Sequence, residues 1–196
     1  NSKLVIRNDG NTNIMAVSDS QNDEIDVHFV TNLGTILRSG KYNVASSKES
    51  KRLFGILKVS DGYLISGQVQ YSSETVKSFI LKIDREGNKI YLKYYGEKDF
   101  WFLGSTLYQS PLNENEVVLY GSYISHGYGH KSFFHIDHKT GNTLRIDITP
   151  GQTVNSFGPY SIYYSNHFKS PIGVGIMSNE NQTALLPALV VFNDSF

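Results

Sequence analysis

At 196 residues the chain is long enough to bury a sizeable core, and its 18 basic and 18 acidic side chains balance to a formal net charge of zero, so no global field recruits nucleic acid or an anionic membrane. Cysteine is absent, which removes disulfides, thiol catalysis and cysteine zinc sites together. No apolar run approaches the roughly 18 residues of a membrane span, and the 13 Tyr and 11 Phe suit the packing of β-sheets.

In chain order, Lys3 to Arg7 reads as a first strand, turned at Asn8-Asp9-Gly10-Asn11 into Ile14 to Val17. An acidic connection from Asp19 to Glu24 leads to Val27-His28-Phe29-Val30, and Asn32-Leu33-Gly34 turns that strand into Ile36-Leu37 and beyond. The stretch from Asn43 to Arg52 is polar and reads as a connection, with room for one short helical turn. Leu53 to Val59 then opens a second unit. Tyr63 to Val69 and Phe79 to Ile83 are rich in β-branched, aromatic and aliphatic residues and too short for helices. Asp84-Arg85-Glu86-Gly87-Asn88 offers an Asp that can bond forward to the backbone and a Gly tolerant of positive φ, the chemistry of a hairpin connection. Lys89 to Tyr95 alternates polar and apolar residues, as a strand with one wet face does.

The third unit repeats this order. Glu97 to Phe102 links to a strand near Ser105 to Gln109, Ser110 to Asn115 is a turn, Val117 to Gly121 a strand, and Ser125-His126-Gly127-Tyr128-Gly129-His130 a connection. Phe134 to Ile136 follows, with His135 and His138 flanking Asp137 as solvent or packing residues, and then Thr143 to Ile148. After an irregular segment the fourth unit has Tyr160 to Tyr164, Ile172 to Met177 and Leu189 to Phe192. Two landmarks give one period. Gly67, Gly121 and Gly175 stand 54 residues apart, and Gly34, Gly87 and Gly141 stand 53 and 54 apart. A four-stranded unit repeated at this interval points to the blades of a propeller. The predicted blades cover 1–45, 46–99, 100–153 and 154–196 of a single all-β domain. The last strand of the fourth unit is missing, which suggests an incomplete propeller or part of a larger one, with the remaining blades in sequence or in another chain.

The segments SDGYLISGQ and SFILKIDREGNKIYLKYYG, echoed in the third unit by Val117 to Gly121 and Phe134 to Asn142, resemble the repeat of bacterial secreted and surface β-propeller proteins. In that repeat a "DGGY-aliphatic-aliphatic-x-G" strand precedes a "K-aliphatic-D-x-x-G-N" hairpin. The resemblance implies a radial β architecture and an extracellular or cell-surface address, and it carries no catalytic residues with it.

Naming the strands of a blade a, b, c and d, the b-to-c and d-to-a connections of a propeller gather on one face. There they would bring together Asp23, Phe100, Trp101, His126, Tyr128, His130, Tyr160 and Glu180. Aromatic planes beside amides and carboxylates suit a sugar or an extended peptide, whereas the competing reading has Phe100 and Trp101 packing between blades. His126 and His130 alone make too small a ligand set for zinc, and neither a phosphate-binding loop nor a nucleophile elbow is present. No cofactor motif occurs. Two function classes remain: a non-catalytic binding or scaffold module at a bacterial surface, whose partner is a protein chain, a peptide or a glycan, and part of a glycan-active hydrolase or lyase in which Asp23 and Glu180 act as acid and base.

Overall fold

The structure, a computed structural model, describes residues 3–18, 23–45, 50–70, 76–96, 101–125, 128–149, 157–165, 170–178 and 185–191. Those residues contain strands and turns and no helix. Each group of consecutive strands forms its own antiparallel sheet. The first sheet is β1 (Lys3–Asp9), β2 (Thr12–Ser18), β3 (Glu24–Thr31) and β4 (Ile36–Asn43); the second is β5 (Ser50–Val59), β6 (Gly62–Gln70), β7 (Val76–Ile83) and β8 (Lys89–Tyr95). The third holds β9 (Trp101–Gln109), β10 (Glu116–Ser125), β11 (Tyr128–Asp137) and β12 (Thr143–Thr149), and the fourth β13 (Phe157–Ser165), β14 (Ser170–Ser178) and β15 (Leu185–Val191). The sheets fall into two compact units, Asn1–Gly104 and Ser105–Phe196, whose boundary lies within β9.

Hydrophobic patterning explains the order within the first unit. Along β3, Ile25, Val27 and Phe29 are buried while Glu24, Asp26 and His28 are half-buried, the period-2 signature of a strand with one face on the core. By contrast β6 and β7, the two central strands of the second sheet, are buried almost continuously. Ile14, Ala16, Ile25, Val27 and Phe29 of the first sheet join Tyr63, Ile65, Phe79, Leu81 and Ile83 of the second in one core. Each such side chain contributes about 1.5–3 kcal/mol on full burial, so the seam between sheets, rather than any single sheet, holds the unit together. The innermost strands converge, β1 lying beside β5.

Two departures from regular pairing recur with the repeat. A β-bulge falls between Phe29 and Val30, between Lys82 and Ile83, and between His135 and Ile136, always where strand c meets strand d. A second bulge lies on strand a, opposite the strand-b glycine: Leu53 pairs with Gly67 and Pro159 with Gly175, leaving Phe54 and Tyr160 as the extra residues. This accounts for the glycine. A Cβ at Gly67 would stand 2.5 Å from the Arg52 carbonyl and 2.6 Å from the Phe79 ring, so the bulged inner strand and the next strand leave no room for a side chain.

Several boundaries differ from the sequence reading. β5 begins at Ser50, inside the polar stretch assigned to a connection, and β9 begins at Trp101. The Ser125 to His130 connection is mostly strand: Tyr123 pairs with His130, Ile124 with Gly129 and Ser125 with Tyr128. Once β10 and β11 are in register, each further residue gains a ladder partner, and this outweighs the local turn preference of the glycines.

Candidate functional site

Backbone direction puts the starts of strands a and c at one end of each sheet, the end where the sequence gathers its candidate ligand residues. Trp101 opens β9 and Tyr128 opens β11, with His130 two residues further along. Tyr160 is the bulged residue of β13. Asp23, half-buried, directly precedes β3, and its backbone carbonyl accepts the Val44 N–H at 3.1 Å. Phe100, His126 and Glu180 lie outside the described residues. Asp23 belongs to the first compact unit, and Tyr128, His130 and Tyr160 belong to the second.

At the opposite end, the a-to-b turns and c-to-d hairpins of the first two sheets interlock. Asp9, last in β1, receives the Lys58 ammonium at 2.5 Å and the Tyr63 hydroxyl at 2.6 Å. The bond from Lys58, and then that from Tyr63, hold the Asp9 carboxyl below the usual carboxylate range; burial, and then the Asp9 bond, push the Tyr63 phenol up to about 12. The Tyr63 ring meets Phe29 edge-on at 5.9 Å, and the Arg38 guanidinium lies 3.9 Å over the other partner, Phe29. Arg38 also donates to the Arg85 carbonyl, and the Tyr42 hydroxyl donates to the Gly87 carbonyl. Gly87 is fixed twice over, by a φ of 92° and by the Phe29 ring, which an added Cβ would approach to 3.3 Å. Its hairpin is closed by Asp84, whose carboxylate accepts the Asn88 amide at 2.8 Å and backbone N–H at 2.7 Å. The side-chain bond above all keeps Asp84 in its charged form to lower pH than usual.

The strand-c residue beside the strand-d bulge carries chemistry that sequence reading missed. In the first sheet it is Phe29. In the second it is Lys82, only 1% exposed, whose ammonium meets the Asp61 carboxylate at 2.7 Å. In the third it is His135, buried between Glu116 of β10, 2.6 Å from Nδ1, and Asp147 of β12, 2.9 Å from Nε2. Arg145 completes the row, 3.3 Å from Asp147. His135 is thus not a solvent residue: it is buried, as a packing residue is, and it also ties three strands together. The available signal was its register: it stands one period after Lys82, a second polar residue in an otherwise apolar run. Among the described residues no group of three or more His, Cys, Asp or Glu is arranged to hold a metal ion.

No protein-family model and no curated protein matches the chain. Solved structures do. Across 98% of its length the chain is similar to a structure described as the Dos1 propeller, at 14% identity and a TM-score of 0.55, and it spans 48% of that chain, about half its length. It also aligns with a point variant of the Synechocystis apocarotenoid oxygenase (7% identity, 92% of this chain, 47% of that one, TM-score 0.48) and with the WD40 domain of SCAP from fission yeast (10%, 95%, 62% and 0.29). The latter two, below a TM-score of 0.5, add nothing to the argument. Four-stranded antiparallel sheets in sequence order, inner strands converging in the first unit, and likeness to a propeller over nearly the whole chain identify the fold as all-β, built of β-propeller blades.

Proposed function

We propose that the chain is a non-catalytic binding or scaffold module made of propeller blades, part of a secreted or cell-surface assembly of a bacterium, which presents the loops at the b-to-c and d-to-a end to a protein, peptide or glycan. The observation that carries this reading is how the ionisable groups are used. Asp9 with Lys58 and Tyr63, Lys82 with Asp61, and His135 with Glu116 and Asp147 each tie one strand or sheet to the next. At the opposite end of each sheet the sequence supplies rings with polar tips and other polar groups: Asp23 in the first sheet, Trp101, Tyr128 and His130 in the third, and Tyr160 in the fourth. Such groups orient a sugar ring or an extended peptide without a cofactor. The bacterial surface address rests on the repeat resemblance alone.

Trp101 is the single tryptophan of the chain, so its emission reports on that end directly. Titration with polysaccharide fragments and with extended peptides should give a saturable change with one class, lost in Tyr128→Ala, and no release of reducing ends. Release of reducing ends that Asp23→Asn or Glu180→Gln abolishes would overturn the reading in favour of a glycan-active enzyme.

A further inference from the structure

We propose that β12 is a self-pairing edge, through which two copies of this chain join their third sheets into one continuous sheet. Among the described residues β12 lies at the margin of its sheet, next to β11 alone, so alternate backbone N–H and C=O groups on its outer side have no ladder partner among them. Edge strands are commonly blunted by lysine. The equivalent outer strands conform: β4 carries Arg38 and Lys41, and β8 carries Lys89 and Lys93. β12, TLRIDIT, contains no lysine. Its two charges, Arg145 and Asp147, turn to the His135 side, while Leu144, Ile146 and Ile148 are 54%, 45% and 48% exposed.

The occupant follows from the order of residues. Rotated about a two-fold axis through Ile146, an antiparallel second copy of β12 sets Arg145 opposite Asp147 and Ile146 opposite Ile146, while Leu144, the extra residue of the bulge, lies beyond these central pairs. Opposite charges and aliphatic pairs directly across an antiparallel ladder are each stabilising, and the contact is isologous, so it closes at two copies. The same rotation of β4 about Ser39 sets Leu37 opposite Lys41 and Arg38 opposite Gly40; that of β8 about Leu92 yields no charge pair. On β8, moreover, Leu92 packs against the core of the first seam and Tyr94 donates to the Val44 carbonyl at 2.8 Å. The bulge at the start of β12 leaves Arg145 to Thr149 in regular register with β11, which covers the three central pairs. The inference does not depend on what the loops bind.

The chain has no native cysteine, so Ile146→Cys introduces one thiol at the position that faces itself. Opposed Cβ atoms of an antiparallel pair lie about 4.5–5.5 Å apart, close enough for a disulfide after a small shift. Mild oxidation should convert most of Ile146→Cys to a covalent dimer, while Leu37→Cys, similarly exposed on β4, stays largely monomeric. In sedimentation at about 100 µM, a hundredfold above a micromolar dissociation constant, the unmodified chain should be dimeric and Ile146→Lys monomeric with an unchanged circular dichroism spectrum. A monomeric unmodified chain, equal cross-linking at both positions, or a dimer that survives Ile146→Lys would each overturn the proposal.

Discussion

The Tyr63 hydroxyl donates to the Asp9 carboxylate at 2.6 Å. The bond runs from the end of strand a in the first blade to the start of strand b in the second. Around it, Lys58 shares the carboxylate and the Tyr63 ring closes on Phe29, so polar and apolar parts of the seam meet at a single side chain.

Because the folded state holds Asp9 below its usual pKa, its contribution is complete above the unfolded value of about 3.9 and is lost as pH falls through the lowered folded value. Asp9→Asn should cost about 1 kcal/mol at neutral pH, the screened value for a pair partly open to water. In urea melts from pH 7 to pH 2, the gap between the two proteins should be constant above about pH 5 and should close below about pH 4. A gap independent of pH would mean that the charge on Asp9 plays no part in the seam.

Gly67→Ala places a methyl group against a carbonyl and a ring that both belong to the ladder, and it should destabilise by about 2–3 kcal/mol in denaturant unfolding. Gly55, beside the same bulge, has nothing within 4 Å of an added Cβ. Gly55→Ala should therefore lie within about 1 kcal/mol of the parent, with stabilisation the favoured sign because the unfolded chain loses freedom. Equal costs at the two positions would show that the bulge does not crowd Gly67.

The spacing of Gly67, Gly121 and Gly175 was legible as a repeat, and its physical cause is visible at Gly67, where backbone and ring close in, and at Gly175, which faces the same kind of bulge. The Asp84 to Asn88 hairpin was legible because its bonds join residues four apart. Strand limits were harder, since Tyr128 and His130 are drawn into β11 by partners on β10 and not by their own preferences. His135 was harder still. A histidine within an aromatic run says nothing by itself; its role appears only when Glu116 and Asp147 arrive from the flanking strands. The ligand end of the blades remains a reading of residue chemistry, resting on Trp101, Tyr128, His130 and Tyr160.

Lys82 and His135 occupy equivalent places and call for an asymmetric response. Removing a partner leaves a buried charge, so Asp61→Ala should cost about 2–3 kcal/mol, whereas Lys82→Met, which removes the buried charge itself, should be neutral or stabilising. His135→Leu removes the ring that bonds both Glu116 and Asp147 and leaves two largely buried carboxylates short of a partner, and should cost about 2–3 kcal/mol in the same thermal or denaturant melts. Costs below about 0.5 kcal/mol for both Asp61→Ala and His135→Leu, the range of ordinary surface substitutions, would demote this register position to a surface feature.

The most direct measurement is a nuclear Overhauser spectrum of protein with labelled Phe and Tyr rings. Sheets that fan about a common axis require a cross-peak between the ring protons of Phe29 and Tyr63, whose centroids are 5.9 Å apart across the first seam, and its loss in Phe29→Leu. A Phe29 ring whose only contacts lie within its own sheet, in protein that is otherwise folded, would contradict the propeller arrangement of the first two blades.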